Sequence, residues 1–319
     1  MDSPFLHLKT HRWFVSFVLF LLICPASAQE TVFHSEVHLV NMTFSVRGPD
    51  GKTAAGLGVD DFDLFEDGVP QKIKFFARED QLPLSVGLIV DVSDSQDKFL
   101  KRHQHDIEVF LRGILRPSDQ AFAVCFGNHL RLVSDTTSSI AQIMSSLQRF
   151  DKGDTDFPEI GPKEERELGT ALYDAIYYGV EEKLRSDNNR RRALILFTDG
   201  EENSSEHDLI DAISAAQDSD VLIFAIRYTQ VRHGAMNARN KYGMRVLGHL
   251  ASQTGGSEFD GLHTDLPVAF QQISDELRSL YSIAYLSTNK TQDGTFRKVV
   301  IQAKQRSLTV RAKAGYYAR

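Results

Sequence analysis

Hydrophobic and polar positions change their rhythm twice along the chain. Residues 32–47 alternate, with Val40, Met42, Phe44 and Val46 on one face and mostly polar side chains on the other. That is the two-residue period of a strand with one buried face. Gly48-Pro49-Asp50-Gly51 reads as a turn. Residues 62–66 and 71–76 flank Asp67-Gly68-Val69-Pro70, which predicts a hairpin. No helical period appears before residue 80, so residues 29–80 form a small antiparallel β segment with too few strands to stand alone.

From about residue 84 strands alternate with helices. Apolar runs at 85–90, 121–126, 193–197 and 221–226 predict buried strands, and 130–133 a hairpin partner around Gly127-Asn128. Stripes at Phe99, Ile107, Phe110, Leu111 and Ile114, at Ile140, Ile143, Met144 and Leu147, and at Leu172, Ile176, Val180 and Leu184 predict three helices. Leu209, Ala212, Ile213 and Ala216 predict a fourth. Val246, Leu247 and Leu250 predict a short one, and Phe270, Ile273, Leu277 and Leu280 a long last one. This is the pattern of an α/β fold with a doubly wound, mostly parallel sheet, spanning residues 81–281. Residues 282–319 return to strands. They are expected to complete a small antiparallel β-sandwich with 29–80, so that the α/β domain is an insertion; two separate β units are the alternative.

The chemistry lies at strand ends. The run 85–90 stops at Asp91-Val92-Ser93-Asp94-Ser95, and 193–197 stops at Thr198-Asp199-Gly200. Open α/β sheets bind ligands at the carboxyl ends of their strands. Gly169-Thr170 opens the third helix between them. Any one of these residues would serve equally as a helix N-cap. Together, if the two strands are neighbours, Asp91, Ser93, Ser95, Thr170 and Asp199 offer five oxygens, two of them charged, and no nitrogen or sulfur. That set suits Mg²⁺, Mn²⁺ or Ca²⁺ rather than zinc or copper.

Asp91-Val92-Ser93-Asp94-Ser95 resembles the D-x-S-x-S of von Willebrand factor A (VWFA) domains, with Thr170 and Thr198-Asp199-Gly200 falling where that family completes its metal-ion-dependent adhesion site (MIDAS). The resemblance covers about residues 84–281. It implies a Rossmann-like domain in which Ser93, Ser95 and Thr170 bind the metal, Mg²⁺ by expectation, directly, and Asp91 and Asp199 bind largely through water. It also implies a protein partner that supplies an Asp or Glu to the open coordination position, with no catalysis. The flanks, Val59-Asp60-Asp61-Phe62-Asp63-Leu64-Phe65-Glu66-Asp67-Gly68, Tyr281-Ser282-Ile283-Ala284-Tyr285 and Ala314-Gly315-Tyr316-Tyr317, resemble exported bacterial VWFA-related proteins of the acidobacterial type.

Composition narrows the function. Lys9, His11 and Arg12 precede an apolar run from Trp13 to Ile23, and Pro25-Ala26-Ser27-Ala28 follows. This predicts a signal peptide at 1–28 with cleavage before Gln29 and export to the periplasm or cell surface. A transmembrane span would want roughly 20 apolar residues, so none is expected after cleavage. The net charge of −7 argues against nonspecific nucleic-acid binding. Cys125 is left as the only cysteine outside the leader and sits in an apolar strand, so it reads as a buried, inert thiol.

An enzyme is not expected. Ser95-Gln96-Asp97-Lys98 spells S-x-x-K, but the companion signatures S-D-N and K-T-G are absent. The eleven histidines give no zinc-spaced pair. Two charged loops remain. Residues 151–168 are acidic, with Asp154, Asp156 and Glu165, and 230–245 are basic, with Arg232, Arg239 and Lys241. Both are expected at the metal pole, where they would select the partner; the plain alternative is solvated surface. The resulting expectation is an exported, metal-dependent protein-binding module. The runner-up is a cell-envelope structural or assembly protein in which the metal only stabilises.

Overall fold

The computed structural model describes residues 39–162, 169–229 and 235–319. The expected signal peptide at 1–28 and the loop residues Glu165 and Arg232 lie outside the described residues. Among the described residues no helix is long and apolar enough to cross a membrane.

The alternating stretch becomes β1 (Leu39–Arg47), which buries Val40, Met42, Phe44 and Val46. β2 (Phe62–Glu66) turns through Asp67-Gly68 into β3 (Val69–Gln71). Both turn residues have positive φ, 47° and 82°, the mirror-image turn whose twist matches the flanking strands and which Asp-Gly favours. The hairpin is therefore tighter than the sequence pattern suggests. Val69 and Pro70 are strand rather than turn, and Pro70 is tolerated because β3 is an edge strand. The following residues leave for another sheet as β4 (Ile73–Glu79).

β5 (Leu84–Asp91), β6 (Gln120–Phe126), β7 (Leu130–Thr137), β8 (Arg191–Thr198), β9 (Val221–Arg227) and β10 (Glu258–Asp260) form the central sheet, in the order β10-β9-β8-β5-β6-β7. Only β7 runs antiparallel to its neighbour. All eight residues of β5 are buried, which is why its sequence is a continuous apolar run rather than an alternation. One face is covered by α1 (Leu100–Ile114), α2 (Ile140–Asp151) and α6 (Leu266–Arg278). The other is covered by α3 (Leu172–Tyr178) with its π-helical continuation Gly179–Leu184, by α4 (Leu209–Asp218) and by α5 (Ala238–Thr254). The domain is thus the expected Rossmann-like, doubly wound fold.

β11 (Leu280–Leu286), β12 (Phe296–Ala303), β13 (Thr309–Ala312) and β14 (Gly315–Tyr317) close the fold. Two antiparallel sheets result, β13-β1-β11-β4 and β14-β12-β2-β3, each mixing strands from both ends of the chain. Their inner faces share one core, with Met42 and Phe44 from β1, Leu64 from β2, Tyr285 from β11 and Ile301 from β12. Each end supplies only two of the four strands in each sheet, so neither sheet is complete without both ends. Leu280 belongs to β11 and not to the last helix, and β11 straddles the expected boundary at 281/282.

Candidate metal centre

β5 and β8 pair in parallel up to Val90 opposite Phe197, so Asp91 and Thr198 emerge side by side. The chain after β5 leads to α1 on one face of the sheet and the chain after β8 to α4 on the other. Diverging loops leave a crevice at this point, the usual ligand position of such sheets. Asp91 is fully buried. Its Oδ1 accepts from the backbone N–H of Ser93 at 3.0 Å and from Ser93 Oγ at 2.6 Å, and its Oδ2 accepts from Thr198 Oγ1 at 2.5 Å. Asp199 Oδ2 accepts from Ser95 Oγ at 2.9 Å and Gln96 Nε2 at 2.7 Å. The Ser93 and Ser95 hydroxyls lie 3.3 Å apart. Four of the five expected residues are therefore joined by side-chain hydrogen bonds. Thr170 is buried and tied in by its backbone: its N–H donates to Asn203 Oδ1 and Ser204 Oγ, each at 3.2 Å, and its carbonyl accepts from the N–H groups of both residues.

Burial, reinforced by the charge of Asp199, pushes the Asp91 carboxyl up to about 7. The neighbouring Glu201 is raised by the same two causes. Among the described residues no Lys, Arg or His pairs with Asp91 or Asp199. Nor, among the described residues, do three His, Cys, Asp or Glu side chains gather as a ligating group. A cation here would be shared by two carboxylates and neutral hydroxyls, a donor set that fits a hard divalent ion. Such an ion would also offset the repulsion that raises Asp91.

The loop after Asp199 is held from two sides. Glu202 Oε2 accepts from the Tyr173 N–H in the first turn of α3 at 3.1 Å, and buried Asp174 accepts from the N–H groups of Glu206 and His207. On the other side α5 packs without clearance: a Cβ on Gly243 would lie 2.3 Å from the Asp199 carbonyl oxygen. Helix propensity alone favours Ala over Gly by about 1 kcal/mol, yet Gly243→Ala should destabilise, because overpacking against backbone costs about 1–3 kcal/mol. The displaced Asp199 loop should also weaken Mg²⁺ binding. Urea unfolding and a Mg²⁺ titration check both; a variant more stable than the wild type would show that the contact yields freely.

Of the residues expected to select a partner, Asp154 is tied to Arg149 at 2.5 Å and accepts from the Asp156 N–H, while Asp156 is exposed. Arg239 and Lys241 lie in the first turns of α5, not in a loop. The helix is seventeen residues long; its polar opening, Ala-Arg-Asn-Lys-Tyr-Gly-Met-Arg, hid the period. Arg239 reaches Glu201 at 3.5 Å. Between the start of α5 and the loop after β5 lies a cleft of about 510 Å³, lined by Asp94, Ser95, Asp199, Ala235, Asn237 and Asn240. Sequence reasoning also missed Gln96, a buried side chain that bridges Asp199 and the Tyr228 carbonyl. No local signal distinguishes it from a surface glutamine.

Residues 86–258 match the family model described as the von Willebrand factor type A domain. No curated protein matches the chain. Among solved structures, the conserved hypothetical protein BatB of Bacteroides thetaiotaomicron is 19% identical, covering 60% of this chain and 97% of its own, with a TM-score of 0.44. A von Willebrand factor type A protein of Catenulispora acidiphila is 12% identical, covering 90% of this chain and 74% of its own, at 0.46. Proximal thread matrix protein 1 of the mussel byssus, with a zinc-occupied MIDAS motif, is 14% identical, covering 63% and 49%, at 0.41. With more than half of its length matched by the family model, the chain belongs to the von Willebrand factor type A domain family.

Proposed function

We propose that the protein is an exported module that binds a protein partner through a divalent cation, Mg²⁺ first among the candidates, at a complete MIDAS, and that it is not an enzyme. The observation that carries this reading is the pair of buried acids, Asp91 and Asp199, held at adjacent strand ends with hydroxyls and no basic partner among the described residues. Ser93, Ser95 and Thr170 would hold the ion directly, and Asp91 and Asp199 largely through water. The partner contributes an Asp or Glu to the remaining position. The sequence of the leader supports export, and the flanking strands support a kinship with exported bacterial VWFA-related proteins.

The test is thermal unfolding and partner capture with and without Mg²⁺. A ligand present at 100 times its Kd stabilises by about 2.7 kcal/mol, so Mg²⁺ should raise the wild-type Tm by roughly 4 °C. Asp91→Ala should abolish that rise and the capture of partner, as should EDTA. Ser95→Ala, at an exposed position, gives a second variant should Asp91→Ala fold poorly. Capture that survives in both variants would sink the mechanism.

A further inference from the structure

The cleft beside Asp199 does not close at its far end. Ala235 lines it and also lines a shallower depression of about 570 Å³ bounded by Met236, Lys241, Met244 and Arg245. The two meet at Ala235, so that together they lead from the candidate metal centre towards Lys241 and Arg245 on α5. Lys241 and Arg245 are exposed, one helical turn apart, and neither has an ion-pair partner among the described residues. From Ala235 to Ser257 the chain carries no Asp or Glu, although its net charge is −7. Met236 and Met244 are half-buried beside the cations. Methionine is the side chain best able to adapt to an incoming apolar group.

We infer that this track receives an extended acidic segment of the protein partner, interleaved with apolar residues. The inference rests on the metal-dependent reading above: the segment's leading carboxylate takes the metal, and later ones meet Lys241 and Arg245. The spacing suits an extended chain. Four residues of helix rise about 6 Å, and two residues of extended chain span about 6.6 Å. Carboxylates at alternate positions therefore fall in step with the two cations. Arg245 can grip a carboxylate with two parallel N–H groups. Charges at such a rim act mainly on association and its salt dependence, so recognition here adds discrimination to the single metal bond.

The experiment uses the full chain and fluorescence anisotropy in Mg²⁺. One labelled octapeptide alternates Asp or Glu with Leu; its control keeps the first Asp and carries Gln in place of each Glu. The acidic peptide should bind the wild type at least tenfold more tightly than the control. Lys241→Glu combined with Arg245→Glu should erase that preference while the Mg²⁺-dependent rise in Tm persists. Equal binding of the two peptides by the wild type, failure of the acidic peptide to bind, or an undiminished preference in the double variant, each with the Mg²⁺ rise intact, overturns the track and leaves the metal reading standing. Absence of any Mg²⁺ effect on the wild type removes the metal reading and the track together.

Discussion

Glu66→Ala is expected to lower the free energy of unfolding by about 3–5 kcal/mol, the cost of removing one partner of a buried ion pair. Glu66, at the end of β2, and Arg297, on β12, are each 2% exposed. The carboxylate accepts from Tyr285 at 2.7 Å, Tyr316 at 2.9 Å and Ser287 at 2.5 Å, and Arg297 adds its charge at 3.4 Å. Tyr285 belongs to β11 in the facing sheet, so Glu66 fastens the two layers of the sandwich. Burial alone would raise its carboxyl, but the three hydroxyls and Arg297 more than offset that and hold it below the ordinary value. With the folded value below the unfolded one, the contribution is complete above about pH 4.5 and fades as acid is added. In the alanine variant Arg297 keeps the carbonyls of Asn289 and Thr291 but loses its counter-charge. Glu66→Met with Arg297→Met should cost less than Glu66→Ala alone, because the double variant leaves no charge behind. Urea unfolding of the wild type and the two variants decides it; a loss below 1 kcal/mol for Glu66→Ala would show that the cluster does not support the sandwich.

None of the tyrosines in that cluster could be placed there from the sequence, because its members come from strands more than 200 residues apart. The same distinction runs through the rest of the molecule. β5 and β8 were legible because burial on both faces writes a continuous apolar run, and the acids that end those runs marked the pole. α5 was underestimated because its first turns face solvent and Gly243, fitted against the Asp199 loop, interrupts the pattern. β10 and β14 have three residues each, too few for any period. That Asp91, Ser93, Ser95 and Asp199 would meet could be read from spacing once the strands were taken as neighbours. Gln96 and the Asn203–Ser204 anchor of Thr170 are contacts of folded loops and leave no periodic trace.

Acid should weaken the protein from about pH 6.5 downward, and His103→Phe should remove much of that loss. His103, on α1, is 1% exposed, and neither ring nitrogen has a hydrogen-bond partner. Its ring lies 4.3 Å from that of Tyr228 and 6.3 Å from those of Phe99 and Phe197. Burial, then the charge of Arg102, pushes it down to about 3. Because the folded value is depressed below the unfolded one, the unfolded chain takes up the proton first as pH falls. The stability is therefore intact above about 6.5 and declines by about 1.4 kcal/mol per pH unit towards 3. At pH 4.5 the wild type should have lost roughly 2–3 kcal/mol from this group alone. Phenylalanine fills a similar space among the same rings and leaves no polar nitrogen unpaired, so it should match or exceed the wild type at pH 7. At pH 4.5 it should lead by roughly 2–3 kcal/mol. The site has a stake in this packing: the Tyr228 carbonyl accepts from Gln96 Nε2 at 3.4 Å, the same amide that holds Asp199. Urea melts of both proteins at the two pH values measure the effect, and parallel losses in wild type and His103→Phe would assign the acid sensitivity to other groups.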